Sequence, residues 1–202
     1  MQRDPHTDGT GRYQIRSLYF DDAQNSCYYE NEDGTDPREK FRVRFYNGNA
    51  DRLLLELKRK ESGMTQKRSC LIQRDQVERL IAGYRLRWQT DMDALLKKFF
   101  ILQETRVFQP KVIVDYIRVP YICAEGNVRI TLDLNISTIT NTESFFDKRA
   151  QGRPIMPLGM NMLEVKYDSF LPDYIFRSIQ MRDLAQTTFS KYYYCRKFGG
   201  IQ

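Results

Sequence analysis

Apolar and polar residues alternate along several short runs of this chain, with the period of two expected of a strand that faces two environments. Within 40–46, Phe41, Val43 and Phe45 share one face, while Lys40, Arg42, Arg44 and Tyr46 share the other. Within 53–60, Leu53, Leu55 and Leu57 oppose Leu54, Glu56, Lys58 and Lys60. Ile113, Asp115 and Ile117 oppose Val114, Tyr116 and Arg118. Val128, Ile130, Leu132 and Leu134 oppose Arg129, Thr131 and Asp133, and Leu163, Val165 and Tyr167 oppose Glu164 and Lys166. With the β-rich runs YQIRSLYF and MTQKRSCLIQ, the pattern predicts strands at 13–20, 39–47, 51–60, 64–73, 107–119, 127–138 and 161–169. Asn47-Gly48 and Gly63 predict tight turns, so 39–73 reads as an antiparallel meander, and Glu125-Gly126 joins the next pair.

Helical spacing replaces alternation in two regions. Val77, Leu80 and Ile81 predict a short helix capped by Asp75 and stopped by Gly83, and Leu95, Leu96, Phe99, Phe100 and Leu102 predict a second over 91–104. A third is expected near 172–185, and FSKYYYCRK at 189–197 fits a helix or a strand. Residues 1–12 read as a loop or tail, 21–38 as polar turns, and 140–159 as irregular. No repeat or linker divides the 202 residues, so one α+β domain over 1–202 is expected.

Composition narrows the chemistry. Thirteen Tyr and twelve Phe argue against disorder, and no apolar run is long enough to span a bilayer, so a soluble, cytoplasmic protein is expected. Cys27, Cys70, Cys123 and Cys195 are scattered, which suits reduced, buried thiols and neither a zinc site nor a disulfide framework. His6 is the single histidine and lies in the polar leader, which argues against Ser–His or Cys–His catalysis. The net charge of +6 implies an anionic partner.

The placement of those charges says more than their sum. The polar strand faces carry Lys40, Arg42, Arg44, Lys58, Lys60, Arg118, Arg129 and Lys166 against Glu56, Asp133 and Glu164. Like charges two residues apart on a strand lie ~7 Å apart and repel by roughly 2–3 kcal/mol at an effective dielectric of 20. Water relieves that repulsion, and so does a bound polyanion. If the strands curl with this face inward, the lumen is a basic tunnel with an acidic corner, and helices must cover the apolar exterior. Such a lumen suits triphosphate or polyphosphate. Arg42 and Arg44 would clamp phosphoryl oxygens, Lys58 and Lys67 would act as point charges, and Glu164 would hold Mn²⁺ or Mg²⁺.

The segments YQIRSLYFDD (13–22), REKFRVRFYN (38–47), LELKRK (55–60), VDYIRVPY (114–121), VRITLDLNI (128–136), LEVKY (163–167) and FSKYYY (189–194) resemble, in order, the VTC domain. That is the polyphosphate polymerase domain of the CYTH/triphosphate tunnel metalloenzyme superfamily. The resemblance implies an antiparallel β-barrel tunnel of eight strands with helices packed outside. It also implies transfer of the ATP γ-phosphoryl group to a growing polyphosphate chain with a divalent metal, Mn²⁺ favoured. Matched position by position, Arg42, Arg44, Arg118 and Arg129 are the implied catalytic arginines. Lys58, Lys67 (or Arg68 if the register slips), Tyr116, Lys166, Ser190 and Lys191 are implied phosphate binders, and Glu164 the metal ligand. The family pattern opens with a strand resembling R-x-E-x-K-Y and a helix ahead of 13–22. This chain starts in the loop that follows, so seven of eight strands, an open seam and edges that invite association are expected. Three other functions fit the same charges: an inorganic triphosphatase, a non-catalytic polyphosphate or nucleotide receptor, and a single-strand nucleic-acid module. The last is disfavoured because the aromatics of 40–46 mostly oppose the arginines.

Overall fold

The structure, a computed structural model, describes residues 1–5, 7, 9–180 and 186–200. His6 lies outside the described residues, as does the end of the helix expected at 172–185. Nine strands form one antiparallel sheet: β1 (Gln2–Arg3), β2 (Tyr13–Asp21), β3 (Arg38–Tyr46), β4 (Asn49–Glu61), β5 (Met64–Ile72), β6 (Gln109–Cys123), β7 (Val128–Ile139), β8 (Arg153–Pro154) and β9 (Met162–Lys166). Their order is β5-β4-β3-β2-β6-β7-β8, with β1 also on β6 and β9 also on β7. The helices are α1 (Ser26–Glu32), α2 (Arg74–Ile81), α3 (Ala94–Arg106), α4 (Asp173–Ile179) and α5 (Lys191–Gly199).

The seven expected strands are all present, and the structure adds β1 and β8. Residues 1–12 are not a free tail. Gln2 and Arg3 pair with Ile122 and Tyr121, and Asp4 is buried. Residues 21–38 contain α1, which has no local periodicity to announce it. The end of β2 and the residue after it satisfy its first amides: Asp22 Oδ1 accepts from Ser26 N (2.8 Å), while Asp21 accepts from Cys27 N (2.9 Å) and Tyr28 N (3.1 Å). Helix α2 begins two residues earlier than expected. Gln73 caps it, not Asp75, in a reciprocal box with Gln76. Asp93 caps α3 by accepting from Leu95 N at 2.7 Å.

The apolar strand faces make the core. Phe41, Val43, Leu55, Leu57, Leu18 and Phe20 are at most 3% exposed, and α2 and α3 cover them with Val77, Leu80, Leu95 and Phe99. Phe99 meets Phe20 edge-on at 4.9 Å and lies 5.3 Å from Phe41. A second pair of residues on this face is polar. Arg16 Nε donates to Asp115 at 2.6 Å, and its remaining nitrogens donate to the carbonyls of Phe145, Asp147 and Ala150. This buried pair ties the 145–150 loop to the sheet.

The sheet is strongly curled. A flat sheet would separate β4 from β9, five neighbours apart, by ~24 Å. Yet Lys58 on β4 feels the charges of Glu164 and Lys166 on β9 across the polar face. Among the described residues the barrel stays open, because β5 pairs with β4 alone and β9 with β7 alone. One helix departs from the expected exterior cover. Helix α5 packs against the polar face: Tyr192 Oη donates to Asp21, Lys191 sits over the Tyr116 ring, and Thr138 Oγ1 donates to the Cys195 carbonyl. All four cysteines are free, but only Cys27 and Cys195 are buried; Cys70 and Cys123 are half-buried, contrary to expectation.

Candidate functional site

The polar face holds two carboxylates buried beneath several cations each. Glu56, 1% exposed, accepts from Arg42 Nε at 2.7 Å and lies 2.5 Å from Lys67 Nζ and 3.7 Å from Arg44 Nη1. Burial would raise its pKa, but Arg42, Arg44 and Lys67 outweigh burial and hold it at about 2. Asp133, fully buried, receives Arg118 through two bonds of 2.6 and 2.7 Å and Lys191 at 2.6 Å. These two acids therefore act as counter-ions and bind the cations in place. Each still carries fewer charges than the cations around it.

Hydroxyls orient the arginines further. Arg42 Nη1 donates to Tyr19 Oη at 2.8 Å, Arg44 Nε to Ser17 Oγ at 2.9 Å, and Arg44 Nη2 to Tyr116 Oη at 3.3 Å. Tyr13, Ser17, Tyr19 and Asp21 alternate along β2 on the face that meets Arg42 and Arg44. Sequence reasoning missed them, although the hydroxyl and carboxyl groups at alternate positions 17, 19 and 21 were the available signal. Lys40, noted for its face only, is held by the neutral acceptors Asn31 Oδ1 (2.6 Å) and Ser190 Oγ (2.9 Å). Burial, with Arg38 and Lys58 adding to it, lowers its pKa to about 7. Lys58 is lowered to about 8 by desolvation, then by Lys166, Arg42 and Lys191, against the opposing pull of Glu164.

Most of the residues singled out in the sequence thus meet. Arg42, Arg44, Lys58, Lys67, Tyr116, Arg118, Glu164, Lys166 and Lys191 share the curled polar face. Register settles Lys67 over Arg68: Lys67 pairs with Lys58 on this face, and Arg68 pairs with outward Leu57. Ser190 caps α5 by accepting from Tyr193 N at 3.3 Å and also orients Lys40. Arg129 stands apart. It lies four residues, ~13 Å, along β7 from Asp133, and its Nη2 donates to Asp4 (2.7 Å) and Tyr13 Oη (2.9 Å). Its Nε is buried without a partner among the described residues.

Glu164 is the carboxylate with an open side. Its side chain is 28% exposed, at 3.2 Å from Arg118 Nη2 and 3.3 Å from Lys166 Nζ. Burial would raise its pKa, but Lys166, Lys191, Arg118 and Lys58 hold it at about 2, so it is ionised at neutral pH. Among the described residues no three His, Cys, Asp or Glu side chains cluster as a metal site. A divalent ion held at Glu164 would therefore need oxygens from a phosphate ligand and water, which suits Mg²⁺ or Mn²⁺. A cavity of about 460 Å³ lies elsewhere, beside the Asn47-Gly48 turn against Phe45 and Phe146.

The VTC domain family profile matches residues 1–198. The chain belongs to the VTC domain family. Three solved structures are similar to this VTC domain at a distance. A Bacillus halodurans protein named as an adenylate cyclase is 11% identical, with a TM-score of 0.49, over 86% of this chain and 76% of the other. A Hippeastrum protein named as an adenylyl cyclase, with a dominant triphosphatase activity, is 18% identical, with a TM-score of 0.37, over 63% and 60%. The PH1819 protein of Pyrococcus horikoshii is 16% identical, with a TM-score of 0.37, over 83% and 70%. No curated protein matches this chain at a significant level. No helix among the described residues is long and apolar enough to cross a membrane.

Proposed function

We propose that this VTC domain is a phosphotransferase that moves the γ-phosphoryl group of ATP onto the end of a polyphosphate chain. The observation that carries the reading is the crowding of Arg42, Arg44 and Lys67 on one buried carboxylate and of Arg118 and Lys191 on another. Such excess positive charge, oriented in advance by hydroxyls and carboxylates, suits a reaction whose transition state spreads negative charge over equatorial phosphoryl oxygens.

In this reading a terminal phosphate oxygen of the chain attacks the γ-phosphorus in line. The bond from that phosphorus to the β–γ bridging oxygen breaks, ADP departs, and the chain is one unit longer. Arg42, Arg44 and Arg118 hold the equatorial oxygens, and Lys58, Lys67 and Lys191 neutralise the flanking phosphates. Tyr116 and Ser190 keep Arg44 and Lys40 in position. Arg129 and Lys166, cross-strand partners, meet the ligand toward one mouth of the barrel. The attacking phosphate oxygen is already ionised, so the protein need supply no general base. A divalent cation, Mn²⁺ or Mg²⁺, would be held by Glu164 with phosphate oxygens and would supply further charge neutralisation.

Incubation of the chain with ATP and Mn²⁺, followed by electrophoresis of the products, tests this. Polyphosphate should accumulate, and Arg42→Ala should slow it by about 100-fold or more. Undiminished synthesis by that variant overturns the assignment. Release of free phosphate alone identifies a triphosphatase, and metal-independent binding without turnover identifies a receptor.

A further inference from the structure

Strands β3 and β4 carry very different charge patterns on their two faces. On the outer face, Glu39 lies opposite Arg59, Arg59 also pairs with Glu61, and Lys98 from α3 pairs with Glu39. Cations and carboxylates alternate there and neutralise one another. On the inner face, like charges oppose each other directly: Arg38 faces Lys60, and Lys40 faces Lys58, which in turn faces Lys67 on β5. Among the described residues only Lys67 of these five forms an ion pair, with Glu56. Arg38 Nη1 donates to the Thr35 carbonyl, and Lys40 leans on neutral oxygens. Lys60 and Lys58 form no ion pair among the described residues. The carboxylates nearest this rim in sequence are occupied, Asp36 by Ser62 N and Glu61 by Arg59.

Like charges set opposite each other across a ladder destabilise it. Two successive rows of them, neither containing a carboxylate, suit a ligand that brings its own negative charge. The rows lie in line with Arg42 and Arg44, and the lane from Arg42 to Arg38 spans four residues, ~13 Å. A compact anion cannot occupy both ends of such a lane, but a linear polyanion can.

We infer that the Arg38–Lys60 rim is a chain-extension subsite. It holds the phosphates of a linear polyphosphate that project past the units gripped at Arg42 and Arg44, so that affinity rises with chain length. This rests on the proposed phosphate-chain reading of the polar face, and it adds a length-sensing element to it. Both residues are partly exposed, so neither needs removal from the core to be tested.

The test measures binding of tripolyphosphate and of long-chain polyphosphate by titration calorimetry, in the full chain and in Arg38→Ala/Lys60→Ala. The full chain should bind the long polymer more tightly. The double variant should lose roughly ten- to thirty-fold for the long polymer and about two-fold or less for tripolyphosphate. Its melting temperature should hold or rise, because a repulsive pair is gone. Equal losses for both ligands, or none for the polymer, overturn the subsite. A loss as large for a single-stranded oligonucleotide overturns it in favour of a nucleic-acid track. If the full chain binds both phosphates with one affinity, the rim inference fails alone; if it binds neither, the phosphate-chain reading fails with it.

Discussion

Two buried arginine–carboxylate groups occupy opposite faces of the same sheet, and they are built differently. On the outer face, one arginine meets one aspartate: Arg16 bonds Asp115 and spends its other donors on the carbonyls of Phe145, Asp147 and Ala150. On the inner face, three cations, Arg42, Arg44 and Lys67, converge on Glu56 alone. The outer group is complete, with its charge matched and its hydrogen bonds made within the protein. The inner group retains a positive excess that nothing among the described residues cancels. Stoichiometry of charge, more than burial, separates an arginine that holds the fold from one that waits for a ligand.

The sharpest way to break this comparison is to remove each arginine in turn. Arg16→Ala strands Asp115 beneath the 145–150 loop and should cost about 3–5 kcal/mol in urea unfolding, on the order of 10 °C in melting temperature for a domain of this size. Arg42→Ala leaves Arg44 and Lys67 on Glu56 and should cost about 1 kcal/mol or less. Equal destabilisation by the two variants would erase the distinction. An effect smaller than that of Arg16→Ala is expected from Glu56→Gln, which leaves three cations without their counter-ion and should destabilise the free protein by roughly 2–3 kcal/mol. Added tripolyphosphate should restore much of that loss, raising the melting temperature of the variant more than that of the parent.

The smallest effect is with pH. The depressed ammonium groups of Lys40, at about 7, and Lys58, at about 8, lose protons near neutrality. A polyanion favours their charged forms, so binding at about pH 7.5–8 should take up protons, and affinity should fall as pH rises through that range. Calorimetry in buffers of different ionisation enthalpy reads this directly. The free protein should respond in the opposite sense. Between the depressed pKa values and the normal lysine value the unfolded chain binds more protons than the folded one, so these two groups make stability climb with pH from about 7 to 8.5. Proton release on binding, or pH-independent affinity, would show that Lys40 and Lys58 do not face the ligand.

Much of the fold was legible because alternation is a local signal. Phe41-Arg42-Val43-Arg44-Phe45 states both its secondary structure and its two faces, and the structure places those faces as the pattern requires. Helix α1 was illegible because its stabilising carboxylates, Asp21 and Asp22, stand at the end of the strand before it and just beyond that end. Within 1–12 the strand β1 went unseen because it owes its existence to β6, more than a hundred residues away. The segment 189–197 stayed ambiguous because its aromatics fit either period. Only packing of Tyr192 on Asp21 and Tyr19 makes it a helix against the polar face.

The sequence by itself determined which residues share a face and that this face is basic, since pleating dictates parity from position alone. The tertiary structure decided what that parity could not express. Curling the sheet brings β9 toward β4, so that Glu164 and Lys166 act on Lys58. It also decided which charges are neutralised: Glu56 and Asp133 became counter-ions, and the rows from Lys58 and Lys40 to Lys60 and Arg38 were left without an ion pair among the described residues. Electrostatic partnership depends on distance through space, and the short distances between strands far apart in the chain exist only once the sheet has curled around its polar face.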